Sequence, residues 1–440
     1  MPKAHCKTES TRLQAFLETC AKEVGEASGF VQRQSKLTSA LFVQTLVLSC
    51  LDQPEASLNQ MVQWSDELGL ELTPQALDKR MTDQAVVFLA ELVERAVTHL
   101  QRQVNVPCSV LRQFNGISVV DSTQVALPDS LRARFAGSGG DAACASVKFH
   151  LRFDYLAGHV SALEAVAGRS SDQTCQLHRQ QLAAGSLQLF DLGYFQQTAL
   201  SDIAAASAYF ICRLHPQVGL YESPTAAKSI DMSTWVNALR GDQHEFNLWV
   251  GSQARVPVRI LLQRLPTQVV EARRRKAHAT DRRKRKTYSQ AYLELLGWAI
   301  LITNVSPTQL TFAQVMALYP IRWQIELVFK LWKSHARLTS VGRWRPQRVL
   351  CHLYARLLAL ILFHWLVAPW RFGDWGELSL TKAFQVLQRH TLRLAQAIVS
   401  GWRTLTTVLE KITGDFRRFA GKDKRRQSPS SFQAFVRLGA

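Results

Sequence analysis

The spacing of apolar residues divides the chain into a helical start, a strand-rich middle and a helical end. Residues 11–104 carry apolar positions at helical intervals with little Gly or Pro. From "NGISVVDST" (115–123) the pattern changes to a continuous apolar run, and "SVKFHLRFDY" (146–155) alternates apolar and polar residues as a strand does. Residues 347–412 return to helical spacing. The pattern therefore predicts an α/β core between two helical regions.

Strand and helix signals then alternate in the way that a mixed sheet requires. After a turn at "LAGH" the predicted elements are strand 160–168, helix 172–184, strand 187–191, helix 194–206, strand 208–215, strand 297–305 and helix 311–318. Residues 216–296 break this rhythm with turn residues and short apolar runs, which predicts an inserted β-rich module.

The first helical region contains a helix, a short turn and a second helix. Ser57 with Gln60 forms a capping box, Gly69 marks a helix stop, and a Thr-Pro pair at 73–74 begins the next helix. A DNA-reading helix-turn-helix with 74–81 as its second helix fits this pattern, and so do two helices of an ordinary bundle.

The stretch "YPIRWQIELVFKLWKS" (319–334) is apolar apart from a narrow polar stripe. We expect one α-helix here, in which successive side chains are about 100° apart, so that four polar side chains fall within roughly 60° of arc. An apolar face lies roughly 120° away and would pack inward. The members of the stripe are Tyr319, Arg322, Glu326 and Lys333.

Composition indicates a polyanionic partner. The chain has 440 residues, 47% of them hydrophobic, and 53 Lys and Arg against 34 Asp and Glu give a net charge of +19. This charge attracts nucleic acid or an anionic membrane. The longest apolar run (357–370) contains His364 and is shorter than the roughly 20 residues that span a bilayer, so we expect a buried helix and no membrane. The start of the chain lacks the apolar segment of a secretory signal.

The cysteines and histidines predict no zinc site. Eight cysteines are dispersed without a C-x-x-C pair, and the histidines form no H-x-x-H or H-E-x-x-H pattern. We expect free thiols in a reducing cytosol.

Three carboxylates are candidate ligands of a catalytic metal. Asp121 and Asp191 each follow an apolar strand, and the carboxyl ends of neighbouring strands converge on the functional crevice of an open α/β sheet. With Glu326 they supply the hard oxygen ligands that Mg²⁺ or Mn²⁺ prefers. Two such ions about 3.5–4 Å apart activate a water and stabilise the leaving oxygen in an attack on phosphorus. Either Asp alone could instead be a turn former or a helix cap.

The spacing Y-x₂-R-x₃-E-x₆-K, present from 319 to 333, resembles the signature of the IS4 family of bacterial insertion-sequence transposases, relatives of the Tn5 transposase. The blocks "DST" (121–123), "DLGY" (191–194) and "WAILITN" (298–304) are also similar to that family. The resemblance covers roughly 115–355. Leu192 departs from it, because many relatives carry a polar or basic residue after the Asp, which puts one local DNA contact in doubt.

The resemblance implies an RNase H-like catalytic core and a catalytic triad of Asp121, Asp191 and Glu326 with two divalent ions. It also implies that Tyr319, Arg322 and Lys333 hold phosphates near the cleaved end. Trp298 would stack on a base flipped out during hairpin formation, and a place in the strand core is the alternative.

The organisation predicted for the chain has five parts. They are a helical DNA-end-binding region (1–110), the first part of the core (111–215), the β-rich insertion (216–296), the second part of the core (297–345) and a helical region with a basic tail (346–440).

The densest charge lies in "RRRKAHATDRRKRK" (273–286), within the predicted insertion. A run of cations can be a solvated face, but here backbone contact with DNA is favoured. The candidate DNA-binding residues of this run are Arg273, Arg274, Arg275, Lys276, Arg282, Arg283, Lys284, Arg285 and Lys286.

The resemblance therefore implies a DNA transposase that cleaves at terminal inverted repeats and joins the ends to target DNA, working as a homodimer in a synaptic complex. It would act in the bacterial cytoplasm at the nucleoid. Two other hypotheses remain, namely a related nuclease or resolvase that cleaves without joining, and a catalytically silent, domesticated DNA-binding protein.

Overall fold

The structure is a computed structural model that describes residues 2–33, 35–99, 109–140, 142–284, 289–373, 376–423 and 433. Its helices, numbered along the chain, are α1 Pro2–Ala15, α2 Ala21–Ala27, α3 Ser39–Asp52, α4 Leu58–Glu67, α5 Pro74–Arg80, α6 Asp83–His99, α7 Gln197–Ala205, α8 Met232–Ala238, α9 Thr267–Lys284, α10 Gln290–Leu295, α11 Phe312–Leu318, α12 Gln324–Lys330, α13 Pro346–Val367, α14 Leu380–Arg389, α15 Thr391–Ser400 and α16 Trp402–Phe419.

The strands are likewise numbered in chain order. They are β1 Ile117–Leu127, β2 Ala145–Asp154, β3 His159–Ala167, β4 Leu187–Phe190, β5 Tyr209–Arg213, β6 Leu220–Tyr221, β7 Gln243–Val250, β8 Val256–Arg264, β9 Trp298–Thr303, β10 Phe372–Gly373 and β11 Gly376–Glu377.

Strands β1 to β9 form one mixed sheet in the order β3-β2-β1-β4-β5-β9-β8-β7-β6. The pairs β1–β4 and β4–β5 are parallel, whereas β2–β3 and the pairs from β5 through β9, β8 and β7 to β6 are antiparallel. The first five strands thus have the order 3-2-1-4-5 of an RNase H-like core. The α/β class with helical flanks, expected from the pattern and the resemblance, is confirmed.

Contacts divide the chain into two compact units. The helical unit comprises 1–107, 122–170 and 324–425, and the sheet unit comprises 108–121, 171–323 and 426–440.

The core of the helical unit is built around α13. This helix packs against α6 and α3, and from Val349 to Val367 every residue is buried. Residues 346–370 are long and apolar enough to cross a membrane, but their most apolar 18-residue window is wholly covered by protein. The predicted buried helix is therefore confirmed. The capping box of Ser57 with Gln60 and the cap of Thr73 are also present.

The core of the sheet unit lies against β4, β5, β8 and β9. Phe190, Phe210, Ile260 and Ile302 belong to one buried cluster. Their apolar runs predicted strands correctly, because residues covered on both faces of a sheet read as continuous hydrophobic segments. The cysteines that the structure describes are free thiols, as their spacing predicted.

Two predicted helices are wrong. Residues 172–184 form only a 3₁₀ turn, Asp172–Thr174, followed by turns. The few apolar residues of this segment, Cys175, Leu177 and Leu182, pack against the core from an irregular chain without forming a helix. Residues 319–334 are not one α-helix either. They consist of a 3₁₀ segment Tyr319–Trp323, then α12, then a π-helical turn Leu331–His335.

Residues 216–296 contain both strands and helices. Strands β6, β7 and β8 extend the main sheet by pairing onward from β9, and α8, α9 and α10 lie between and after them. The basic run begins inside helix α9.

Candidate active site

Asp121 and Asp191 are brought to the same level by parallel pairing. The register of β1 with β4 matches Ile117 to Leu187 and Val119 to Leu189, a constant offset that also relates Asp121 to Asp191. Neighbouring strands lie about 4.8 Å apart, so the two aspartates are adjacent. Asp191 follows β4 as predicted and its Oδ1 accepts a hydrogen bond from the Gly193 backbone N–H at 2.8 Å. Asp121 differs from the prediction, since β1 continues past it to Leu127.

The guanidinium of Arg322 lies between these two carboxylates. Its Nη1 is 3.9 Å from Oδ2 of Asp121, and its Nη2 is 3.7 Å from Oδ2 of Asp191. The Arg322 side chain is only 5% exposed, whereas those of Asp121 and Asp191 are 29% and 42% exposed. A buried cation thus offsets part of the charge of two carboxylates that remain accessible to ligands.

Tyr319 supports the same edge of the sheet. Its hydroxyl donates a hydrogen bond to the backbone oxygen of Phe190 at 3.3 Å, next to Asp191. Burial raises the pKa of Tyr319 to about 12, so the phenol stays protonated and remains a donor at neutral pH.

A 3₁₀ turn explains why Tyr319 and Arg322 face the same way. Pro320 has no N–H to donate, and the chain adopts a 3₁₀ segment at Tyr319–Trp323. Residues three apart eclipse each other in a 3₁₀-helix, whereas an α-helix separates them by about 60°. The predicted pairing of these two side chains therefore arises by a different geometry.

The other two members of the predicted stripe belong to the helical unit. Glu326 lies in the first turn of α12 and is half-buried, while Lys333 lies in the π-helical turn and is exposed.

The donor set fits a divalent metal in its chemistry. Asp121 and Asp191 offer hard oxygen ligands, and both already lie within 4 Å of a cationic group, the Arg322 guanidinium. No group of three or more His, Cys, Asp or Glu stands ready to hold a metal in the described part of the chain.

An open cleft of about 650 Å³ lies in the sheet unit beside these residues. It is lined by Leu192, by the aromatic side chains of Tyr292, Trp298, Tyr319 and Trp323, and by the cations Arg213, Arg273 and Lys276. Aromatic rings among cations suit nucleotides, because every base has a face for stacking and every phosphate a negative charge.

Trp298 has features of both roles predicted from the sequence, namely base stacking and packing in the strand core. It lies at the start of β9 and is only 6% exposed, which is typical of a core residue. The Arg264 guanidinium lies 4.4 Å from its ring centroid. It also lines the cleft, and its backbone oxygen accepts a hydrogen bond from Arg273 Nη1 at 3.1 Å.

Helix α9 carries the described part of the basic run. Arg274, Arg275 and Lys276 are exposed, whereas Arg273 is half-buried and burial lowers its pKa. Arg282, Arg283 and Lys284 form the last residues of the helix. Arg285 and Lys286 lie outside the described residues, as does most of the basic tail.

The sequence did not identify every functional side chain of the cleft, and Arg213 and Trp323 are two examples. Arg213 on β5 lies with its guanidinium 6.0 Å from the Tyr319 ring centroid, and a single Arg after an apolar strand gave no signal. Trp323 is 55% exposed and lies beneath the Arg322 guanidinium at 5.6 Å. An exposed Trp inside the signature could have drawn attention to it.

Known insertion-sequence transposases are similar to this chain over nearly its whole length. The transposase of element IS1151 from Clostridium perfringens is 28% identical over 434 residues, which cover 93% of this chain and 92% of that protein. The transposase of IS231B from Bacillus thuringiensis subsp. berliner is 27% identical, with 95% of this chain and 91% of that protein covered.

A solved structure, the piggyBac transposase synaptic complex with hairpin DNA, aligns with 94% of this chain and 84% of its own at 8% identity and a TM-score of 0.45. The family model described as "Transposase DDE domain" matches residues 112–362, which include both aspartates, the signature and the cleft. The chain belongs to the transposase DDE domain family.

Proposed function

We propose that this protein is the transposase of a bacterial insertion sequence, which cleaves DNA at the ends of its element and joins those ends to target DNA. The observation that carries the proposal is the Arg322 guanidinium held between Asp121 and Asp191. An arrangement of carboxylates and cations is what phosphodiester chemistry needs, because ligands for a metal and positive charge for phosphate must lie together.

The family implies dependence on a divalent metal. We assign Asp121, Asp191 and Glu326 as the catalytic triad and as the ligands of two Mg²⁺ or Mn²⁺ ions. Bound there, the ions would lower the pKa of a water or a DNA hydroxyl, so that its deprotonated oxygen could attack phosphorus, and would offset the charge on the leaving oxygen.

The remaining residues of the signature position DNA. Arg322 offsets part of the charge of the two carboxylates and faces the scissile phosphate, to which its planar guanidinium can donate two hydrogen bonds. Tyr319 and Lys333 hold neighbouring phosphates. The rim cations Arg273 and Lys276 draw the strand to the cleft, and Trp298 offers its indole to an unpaired base.

The sequence organisation suggests the other roles. The helical start (1–110) recognises the terminal inverted repeats, 111–215 with 297–345 performs catalysis, and the insertion (216–296) binds the DNA backbone. The helical end (346–440) provides homodimer contacts in the synaptic complex. The protein acts in the bacterial cytoplasm, at the nucleoid.

Cleavage of a duplex carrying the inverted repeats that flank the coding sequence tests the proposal. With Mg²⁺ the protein should cut at the repeat and join the end to a target plasmid. Asp121→Asn should lower cleavage at least about 10³-fold, a loss of about 4 kcal/mol of transition-state stabilisation. Asp202→Asn, which removes a carboxylate paired with Arg179 at 3.1 Å, should cleave normally.

Each alternative has its own outcome in this assay. Cutting without joining would indicate a nuclease or resolvase. Sequence-specific binding with no cleavage under any divalent ion would indicate a silent DNA-binding protein, and the proposal would be wrong.

A further inference from the structure

A second polar pocket lies wholly within the helical unit. Its volume is about 260 Å³, and it is bounded by one side of α12 and the start of α14. The side chains that carry the argument are Lys330, His335, Arg371, Glu377, Thr381 and Lys422. None of these residues is in the predicted site, and the transposase chemistry proposed above does not use them.

Arg371 is a buried cation with unused hydrogen-bonding capacity. It is 4% exposed, it lines the pocket, and its Nη1 has no hydrogen-bond partner among the described residues. Its guanidinium stacks on the rings of Phe153, Tyr155 and Phe372, with distances of 5.3, 4.4 and 5.3 Å to the centroids. Ring stacking balances part of the charge, but a buried N–H donor without an acceptor costs about 1–3 kcal/mol. An acceptor bound in the pocket would remove that cost.

The start of helix α14 supplies further donors. Ser379 caps the helix by accepting a hydrogen bond from the Lys382 N–H, and Leu380 and Thr381 of the first turn line the pocket. The first N–H groups of a helix have no acceptor within it, and the helix dipole places partial positive charge there. A helix start of this kind favours phosphate.

Backbone hydrogen bonds connect the segments that carry the charged side chains of the pocket. The Leu378 N–H donates to the Arg371 carbonyl, and the Lys422 N–H donates to the Glu377 carbonyl, both at 3.0 Å. Lys422 Nζ is 2.5 Å from Oε1 of Glu377. Apart from His335, the charged side chains that line the pocket are three cations (Lys330, Arg371 and Lys422) and one carboxylate (Glu377), so its lining carries an excess of positive charge.

We propose that this pocket binds a phosphate group of the DNA backbone. The proposal rests on the proposed function and deepens it by assigning a phosphate contact to the C-terminal helical region. We expect the ligand to offer phosphate oxygens. The guanidinium of Arg371, the ammonium groups of Lys330 and Lys422 and the N-terminus of α14 all favour a compact anion. The pocket is smaller than the roughly 300–1,000 Å³ of drug-sized sites, which suits a phosphate with part of its sugar.

The substitution Thr381→Glu tests the proposal without weakening the helix. A carboxylate in the first turn of α14 stabilises the helix dipole, so the variant should fold at least as well as the wild type. The same carboxylate should repel a phosphate. Gln385→Glu is the matched control, because it adds the same charge at an exposed position about one turn further along α14.

The readout is fluorescence anisotropy of the repeat-bearing duplex in EDTA over a series of salt concentrations. Thr381→Glu should weaken binding about five- to tenfold at physiological salt. It should also reduce the slope of log K against log salt by about 1, the effect of one lost phosphate contact. Gln385→Glu should leave both the DNA affinity and the salt slope nearly unchanged. Equal effects of the two variants would overturn the proposal, because they would reflect net charge alone.

A second arm distinguishes DNA from free phosphate. Thermal unfolding of the wild type and of Thr381→Glu is compared in two solutions of equal ionic strength. One contains inorganic phosphate, and the other contains chloride with neither phosphate nor sulfate. Stabilisation by phosphate that Thr381→Glu abolishes, with DNA binding unchanged, would assign the pocket to a free anion and overturn the DNA contact. No effect in either arm would mean that the contacts Arg371 already makes within the protein satisfy it, and the proposal would be overturned.

The measurement separates this inference from the proposed function. Binding is read without metal, so a chain that binds DNA but never cleaves it still reports on the pocket. A wild type that cleaves normally, with Thr381→Glu binding DNA equally well, would overturn the inference alone.

Discussion

Arg322 is a cation that competes with metal for the same carboxylates. Its guanidinium is 3.9 Å from an oxygen of Asp121 and 3.7 Å from an oxygen of Asp191, and only 5% of the side chain is exposed. Two unit charges 4 Å apart interact by about 4 kcal/mol at the effective dielectric of a protein surface, so a metal entering here meets repulsion from Arg322. A scissile phosphate would offset that repulsion. Metal and DNA should therefore bind with positive coupling.

We predict that Arg322→Gln binds Mn²⁺ about tenfold more tightly than the wild type without DNA, yet cleaves DNA about 10²-fold more slowly. The first effect follows from removing the competing cation, and the second from losing a preorganised donor to the transition-state charge. Calorimetric titration with Mn²⁺ and single-turnover cleavage measure the two. Arg322→Lys keeps the charge and is the control for metal affinity. Unchanged Mn²⁺ affinity in Arg322→Gln would contradict the competition.

Tyr319 gives a pH dependence of stability that one substitution isolates. Burial raises its pKa to about 12, from an ordinary value of about 10. Between these values the folded chain keeps a proton that the unfolded chain has lost, so stability falls as pH rises. At pH 8 Tyr319→Phe should be less stable by about 0.5–1.5 kcal/mol, because it loses the hydrogen bond to Phe190.

At pH 11 that difference should shrink by about 1.4 kcal/mol, the value of one pKa unit. Denaturant unfolding of the two proteins at pH 8 and pH 11 measures the change. A constant difference across this range would show that the phenol titrates normally in the folded chain.

At the residue scale the sequence was sufficient to predict that the two aspartates lie close together. It was insufficient to predict which side chains surround them. Apolar runs precede Asp121 and Asp191, and the parallel register of β1 with β4 makes the two residues adjacent, although β1 continues past Asp121 to Leu127. The contact of Arg322 with both depends on a 3₁₀ turn, and the exposure of Trp323 depends on how distant elements pack. Neither is encoded in local periodicity.

At the scale of elements, Pro320 determines how the signature is presented. It ends the run of α11 and leaves a 3₁₀ segment before α12, which aligns Tyr319 with Arg322. Apolar periodicity cannot distinguish 3.6 from 3.0 residues per turn over so few residues, which is why a single helix was expected. The helix predicted over 172–184 is absent for a different reason, because the polar composition of this segment suggested a helix while its apolar residues Cys175, Leu177 and Leu182 pack against the core from turns. Strands covered on both sides were predicted well.

We predict that Pro320→Ala lets this segment continue as α-helix and rotates Arg322 by about 60° relative to Tyr319. Cleavage should fall about tenfold, while thermal stability should stay within about 1 kcal/mol, since Ala favours the helix. Thr311→Ala is the control. It removes the capping box of α11, so it should cost about 1 kcal/mol of stability and leave cleavage per folded molecule unchanged. If Pro320→Ala lowered stability and left cleavage unchanged, Pro320 would contribute to stability alone.

At the scale of the whole molecule, the excess of cations is unevenly distributed, and this gives its DNA affinity a measurable origin. The net charge of +19 attracts any DNA. Helix α9 presents Arg274, Arg275 and Lys276 to solvent, on the element whose Arg273 borders the cleft. Cations that touch phosphates release counterions, whereas cations that contribute only to the overall field change affinity with little effect on the salt slope.

The last prediction separates these two roles of charge. Replacing residues 274–276 by Gln should weaken binding to repeat-bearing and unrelated duplexes equally, because phosphate contacts carry no sequence information. The slope of log K against log salt should fall by about 0.9 for each cation that touches phosphate, up to about 2.7 for three. The control neutralises three exposed arginines of the helical end, Arg389, Arg393 and Arg403, and so removes the same net charge. If both triple variants lower the slope equally, the charge of α9 acts only through the field of the whole protein, and the backbone contact assigned to this helix is wrong.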